Sequence, residues 1–250
     1  MRVLFPSVWQ SPPLTLVSSA DEVHVWRASL NRPHDGLQRL QSTLSPDECE
    51  RAGRFHFERH RQDFIAARGM LREILGLYLN AEPASLRFRY TSHGKPYLTD
   101  ECGGQWLRFN VSHSGELALY AISRDRELGV DIERVRTDIE HREIATQFFS
   151  EHEIASLGAL SEQVQHTAFF LCWTRKEAYI KGIGEGLSLP LDSFDVSLSP
   201  DEPATLLAVR GNMQEAARWT LRALEPGEGY EAALVAEGRD WQLKCWQWTD

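Results

Sequence analysis

Apolar and polar positions along this chain fall into blocks that switch between helical and strand periods, and the order of blocks comes twice. Residues 46–78 read as mostly helical, with Phe64, Arg68, Leu71 and Leu75 recurring every three or four positions. The stretch opens on Ser45-Pro46-Asp47-Glu48, a serine fit to cap the first turn and a proline where a helix tolerates one. Residues 86–90 alternate apolar and basic side chains as a strand does, and Ser92-His93-Gly94-Lys95-Pro96 is a turn. Residues 109–111 and 117–122 predict paired strands around a turn at Ser112-His113-Ser114-Gly115. Gly129-Val130-Asp131-Ile132-Glu133 predicts a short buried strand, with Val130 and Ile132 facing one way and Asp131 and Glu133 the other.

The second half repeats the order. A helical stretch starts near residue 139 and carries Phe148-Phe149-Ser150-Glu151-His152-Glu153, and a longer helix spans 162–181. The loop Gly182-Ile183-Gly184-Glu185-Gly186 follows, with Gly182 expected as the helix C-cap, then strands near 194–198, 219–224 and 230–236. Residues 241–248 alternate like a last strand whose tryptophans serve packing. The expected fold class is therefore α+β, with two pseudo-symmetric α+β lobes at 1–126 and 127–250 and a cleft between them. Two covalently joined lobes make that cleft within one chain, which favours a monomer.

Composition narrows the class. The 250 residues carry 42% hydrophobic and 25% charged side chains, ordinary for a soluble globular protein. A formal charge of −9 argues against a general nucleic-acid binder. Met1-Arg2-Val3-Leu4-Phe5-Pro6 is too short and proline-broken for a signal peptide, and no apolar run is long enough to span a membrane. Cys49, Cys102, Cys172 and Cys245 are scattered and form no CxxC pair, so reduced thiols in the cytoplasm are expected and a zinc site is not.

The candidate chemistry centres on carboxylates. Asp131 and Glu133 share a strand face, while Trp173, Glu177 and Lys181 share a helix face. Three acidic side chains could form the hard-oxygen site that Mg²⁺ uses when it also holds substrate phosphates. Equally, Asp131 and Glu133 could pair with Arg134 or Arg136, and Glu177 with Lys181, as ordinary surface charges. Arg51, Arg54, Arg59, Arg61, Arg68 and Arg72 crowd one helical region of an acidic protein, and the planar arginine fork suits phosphate. Lys95 in its Gly-Lys-Pro turn could also reach a phosphate. His113 cannot serve Ser112 as a base, because neighbours on an extended chain point apart; it either donates to a phosphate or ties down its own turn. The glycines after the second long helix come in the wrong order for a dinucleotide fingerprint. The apolar segment Gly186-Leu187-Ser188-Leu189-Pro190-Leu191 is a possible contact surface for a macromolecular partner, or simply core.

Together, Gly94-Lys95-Pro96, Phe109-Asn110-Val111-Ser112-His113-Ser114, Gly129-Val130-Asp131-Ile132-Glu133, Phe148-Phe149-Ser150 and Trp173-Thr174-Arg175-Lys176-Glu177-Ala178-Tyr179-Ile180-Lys181 resemble, in order and spacing, the 4′-phosphopantetheinyl transferases of the Sfp (surfactin-synthetase-activating) type. The resemblance covers residues 45–195. It implies an enzyme that moves the phosphopantetheine arm of coenzyme A onto a serine of an acyl or peptidyl carrier protein, releasing adenosine 3′,5′-bisphosphate. It further implies Mg²⁺ held by Asp131, Glu133 and Glu177, with Glu177 the base, or Glu153 in its place. Lys181 would lie against the diphosphate and Lys176 near the leaving group. His113 and an arginine, Arg51 before Arg68, would grip the 3′-phosphate. Ser112 would line the site, with Lys95 and Pro96 in the turn beside the adenine. Some relatives carry lysines where this chain has Asp47 and Glu48, so the 3′-phosphate grip must come from elsewhere. The alternatives are another Mg²⁺-dependent nucleotide-phosphate transferase or hydrolase, and a carrier-binding module without catalysis.

Overall fold

A 22-residue helix lies against a sheet in each half of the chain. The computed structural model describes residues 7–13, 15–212 and 214–249. Residues 1–6, on which the expectation of no signal peptide rested, lie outside the described residues. The first half runs β1 (Glu22–Ser29), α1 (His34–Ser42), α2 (Pro46–Gly53), α3 (Glu58–Leu79), β2 (Phe88–Tyr90), β3 (Pro96–Leu98), β4 (Leu107–Ser114) and β5 (Leu117–Arg124). The second runs β6 (Leu128–Arg134), α4 (His141–Phe148), α5 (Glu151–Ala159), α6 (Glu162–Ile183), β7 (Phe194–Val196), β8 (Leu206–Val209), α7 (Glu215–Arg218), β9 (Trp219–Leu224), β10 (Tyr230–Glu237) and β11 (Gln242–Gln247). The mixed α+β class is as the sequence predicts.

The expected helix over 46–78 is two helices. α2 starts where predicted: the Ser45 N–H donates to Glu48 Oε2 at 3.0 Å in a capping box, with Pro46 in the first turn. It stops at Gly53, because Arg54-Phe55-His56-Phe57 adds three ring side chains of low helix propensity directly after a glycine. α3 then restarts and buries Ile65, Met70, Leu71, Ile74 and Leu75 against the sheet. β4 also runs further than expected. Ser112, His113 and Ser114 lie on the strand, and the turn is narrowed to Gly115, whose φ of +58° suits a residue without a Cβ. At the end of α6 the left-handed cap is Gly184 (φ +79°), not Gly182, which lies inside the helix. β1 and α1 have no counterpart in the sequence reading.

The sheets join β11-β1-β5-β4 and β6-β10-β9. The last strand therefore leaves the second half, and β11 pairs parallel with β1 from Glu22↔Gln242 to Arg27↔Gln247. Residues 242–247 thus belong to the first lobe's sheet, which qualifies a division into 1–126 and 127–250. Trp241 and Trp248 are buried, in packing roles. Three cores result: one beneath α3, one around α6, and one between the sheets, where Leu119 and Ala121 of β5 meet Val130 and Ile132 of β6. Leu191 is buried in the second of these and Leu189 packs on it, so these two leucines are core; the side chain of Leu187 lies outside the description. Among the described residues no helix is long and apolar enough to cross a membrane.

Candidate active site

Strands β4 and β6 are edge strands of different sheets, and side chains tie them together. Asn110, Ser112 and Ser114 fall on one face of β4 by the two-residue period. Asn110 Oδ1 accepts from the Val130 N–H at 2.9 Å, Ser112 Oγ donates to Asp131 Oδ1 at 2.8 Å, and Ser114 Oγ donates to Glu133 Oε2 at 2.8 Å. Ser114 Oγ also accepts from the Arg134 N–H at 3.1 Å. This ladder of side chains orients the acidic face of β6. Of its members, the sequence reading gave a role only to Ser112; the spacing of two along β4 was the available signal for the others.

Gly129 brings α6 onto the same face. A Cβ there would stand 2.1 Å from the Ala178 carbonyl oxygen and 2.3 Å from the Gly182 nitrogen, so only glycine lets α6 lie this close to β6. One result is that Lys181 Nζ donates to Asp131 Oδ1 at 2.5 Å and to Ser112 Oγ at 3.0 Å. The ordinary surface pairings do not form among the described residues: Lys181 turns to Asp131 instead of Glu177, and no ion pair joins Asp131 or Glu133 to Arg134 or Arg136.

Lys181 relieves the charge of this face only in part. Asp131 is 2% exposed and its Oδ2 is buried without a hydrogen-bond partner. Burial, with the neighbouring carboxylates Asp131 and Glu133, holds Glu177 above the ordinary carboxylate range. Glu133 is raised likewise, by burial and by Asp131, against the hydrogen bond from Ser114. His113 is exposed, yet desolvation by the surrounding chain lowers its pKa; Asp63 pulls it up and Lys181 pushes it down. Three crowded carboxylates with an orphaned oxygen fit a hard divalent cation in chemical kind. In placement they do not: among the described residues no three acidic, histidine or cysteine side chains are gathered closely enough to hold a metal as they stand.

Several expected roles are corrected by position. Lys176 has no exposed side-chain atom; its ammonium meets Glu153 Oε2, Leu191 O and Phe194 O, each at 2.7 Å. All three donors are spent in the second core, so Lys176 cannot serve a leaving group. Glu153 is equally sealed: it also accepts from the Ser150 and Val196 N–H groups at 2.9 and 2.8 Å, which removes it as a base. Lys95 does not point to a phosphate position, because its ammonium donates to Lys181 O at 2.9 Å and Leu128 O at 3.2 Å. Lys95 and Pro96 both line a cavity of about 620 Å³ between the β2–β3 hairpin and the end of α6, to which Asp131, Glu133 and Glu177 do not contribute.

Among the first-lobe arginines, Arg72 is fully buried and donates to Glu48 Oε2 at 2.7 Å. Arg68 faces Glu48 Oε1 at 3.5 Å among the rings of Phe64, Phe88 and Tyr90. Arg54, Arg59 and Arg61 all have carboxylate partners. Arg51 has none among the described residues; its guanidinium sits 5.3 Å from the centre of the Phe64 ring.

Comparison with known proteins fits this arrangement. Residues 127–235 match the 4′-phosphopantetheinyl transferase superfamily, and residues 25–124 match the 4′-phosphopantetheinyl transferase N-terminal family. A relative from Nostoc sp., the 4′-phosphopantetheinyl transferase HetI, is 41% identical over 240 residues, 96% of this chain and 98% of that protein. The chain belongs to the 4′-phosphopantetheinyl transferase superfamily. The Bacillus subtilis 4′-phosphopantetheinyl transferase Sfp is 33% identical over 66% of this chain and 70% of its own length. An L-aminoadipate-semialdehyde dehydrogenase-phosphopantetheinyl transferase from Pongo abelii is 31% identical over 63% and 54% of the two chains. This protein is thus an enzyme of the phosphopantetheinyl transferase class, with coenzyme A as donor and a carrier protein as acceptor.

Proposed function

We propose that this transferase acts in the manner of the Sfp-type members, on acyl or peptidyl carrier proteins, at the seam between β4, β6 and α6. The observation that carries the reading is Lys181 seated on Asp131 at that seam, with Glu133 aligned by Ser114 and Glu177 within electrostatic reach of all three. Asp131, Glu133 and Glu177 suit Mg²⁺ in chemical kind but are not gathered around a metal as they stand, and would have to draw in to hold it. When bound, it neutralises charge on the diphosphate of coenzyme A. Glu177 takes the proton of the carrier serine, a positioned transfer worth about 10²–10⁴ in rate. The serine oxygen forms a bond to the phosphorus that bears the pantetheine arm. The bond from that phosphorus to the bridging oxygen breaks, and adenosine 3′,5′-bisphosphate leaves with the electron pair. Lys181, already beside Asp131, faces the developing charge.

On the first-lobe side (1–126), Arg51 grips the 3′-phosphate with His113. Arg51 has no carboxylate partner among the described residues, which supports the choice; Arg68, beside Glu48 and three rings, keeps a buried Nη1 without a hydrogen-bond partner and is the second candidate. Ser112 lines the site, and Pro96 stands by the adenine. The second lobe (127–250) carries the catalytic carboxylates. A cleft made within one chain supports a monomer, and the scattered free cysteines support a reducing, cytoplasmic setting. The test is intact-mass spectrometry of apo carrier proteins, both acyl and peptidyl, incubated with enzyme, coenzyme A and Mg²⁺. One added phosphopantetheinyl group on an acyl or a peptidyl carrier is expected, and none in excess chelator. Modification unaffected by chelator would overturn the metal reading, and modification of neither carrier kind would overturn the carrier reading.

A further inference from the structure

Lys95 projects from the β2–β3 turn of the first lobe into the second. Its ammonium donates to the backbone carbonyls of Lys181 at 2.9 Å and Leu128 at 3.2 Å, with Gly182 O at 3.4 Å. An ammonium has three donors, and here three carbonyls of the other lobe converge on it. Two of those carbonyls belong to the last turn of α6, where the helix leaves its acceptors unpaired and the dipole favours a cation. The third opens β6, the strand that carries Asp131 and Glu133. Glu127 Oε2, at 3.6 Å, is the one carboxylate that faces Lys95, and it also takes Arg108 at 2.9 Å through Oε1. Lys95 is largely buried, and burial lowers its pKa, so the group is placed there against a desolvation cost that its backbone partners must offset.

We infer that Lys95 is a positioning residue, a clamp between the lobes that fixes the backbone of Lys181 and so sets the reach of the Lys181 ammonium to Asp131 and Ser112. The clamp holds the end of α6 where Gly129 admits it, so the two devices act on the same helix turn from different sides. It also couples the Gly94-Lys95-Pro96 turn to α6, because Lys95 belongs to the turn and its ammonium meets carbonyls of the helix's last turn. The inference rests on the reading that Lys181 faces the diphosphate.

A double-mutant cycle tests it. Lys95→Met should lower kcat by roughly 10- to 100-fold with KM for coenzyme A changed by less than about threefold, since an interaction that matters in the transition state is lost. If Lys95 acts through Lys181, the Lys95→Met/Lys181→Met enzyme should turn over within about twofold of Lys181→Met alone. Amide exchange at residues 180–184 should quicken by an order of magnitude or so in Lys95→Met while the buried face of α3 keeps its protection. Losses that multiply, with Lys181→Met strongly impaired, would overturn the clamp and leave the site intact. A Lys181→Met enzyme near wild-type turnover would overturn the reading of the site, and the clamp with it. If Lys95→Met does not fold, Lys95→Arg takes its place in the cycle: it keeps the charge but directs its donors in a fixed plane, and multiplying losses overturn the clamp equally.

Discussion

Lys176 and Lys181 sit five residues apart on α6 and each meets a carboxylate, yet they do different work. The Lys176–Glu153 pair has no exposed side-chain atom, and backbone groups take up what each charge does not spend on the other. The Lys181–Asp131 pair lies at the edge of the cleft, with Lys181 partly exposed, Asp131 Oδ2 without a partner and two further carboxylates nearby. A sealed, fully satisfied pair holds a fold together. An open, incompletely satisfied one is ready to bind something.

The strongest way to break that contrast is to cut the sealed pair. Lys176→Met leaves Glu153 charged in the core and should cost about 3–5 kcal/mol in urea unfolding. Lys176→Met with Glu153→Gln should recover part of this, because no charge is left stranded, although the Ser150 and Val196 N–H groups donate to different oxygens of Glu153 and the amide keeps only one of them. A cost below about 1 kcal/mol for the single variant would put Lys176 on the same footing as an exposed pair. On the open side the effect moves from stability to turnover. Asp131→Asn should lower kcat by at least roughly 100-fold, as loss of a charge-stabilising group does, while the unfolding midpoint stays close to wild type.

The sequence carried much of this, unevenly. The acidic face of β6 and the Glu177/Lys181 face of α6 were legible because period two and period four put those residues together within single elements. Their convergence depends on Gly129, a long-range contact that no local period reports. Lys176 and Lys181 read alike, since a lysine's neighbours across the core decide whether it is sealed, and Leu191, Phe194 and Glu153 come from three different places in the chain. The break between α2 and α3 was available in Gly53 and the aromatic run after it, and was overridden by the helical spacing on both sides. The path of β11 back to β1 was not available at all, because a strand's alternation says nothing about its partner.

The contrast extends to the first lobe, where Arg72 is sealed against Glu48 and Arg51 has no carboxylate. Arg51→Ala should weaken coenzyme A relative to 3′-dephospho-coenzyme A by about 1–3 kcal/mol, read by calorimetry. Equal losses for the two ligands would place Arg51 away from the 3′-phosphate.

The smallest effect concerns pH. Glu177 is held above its ordinary value of 4.5, so the folded state binds its proton more tightly than the unfolded chain does. Stability is therefore lost as pH rises from the unfolded value through the folded one, and Glu177→Gln escapes that loss. The variant should be more stable than wild type at pH 7–8, read as a higher Tm, with the gap closing below about pH 4. A gap that persists in acid would assign the gain to packing instead of charge.

The claim at the centre is that the open carboxylates of β6 and α6 hold the divalent cation. The direct measurement is the Mg²⁺ dependence of turnover for wild type and Asp131→Asn, at saturating coenzyme A and carrier protein. The half-saturating Mg²⁺ concentration should rise by about tenfold or more in the variant, with activity lost first at limiting metal. An Asp131→Asn enzyme with the wild-type Mg²⁺ response would contradict the assignment.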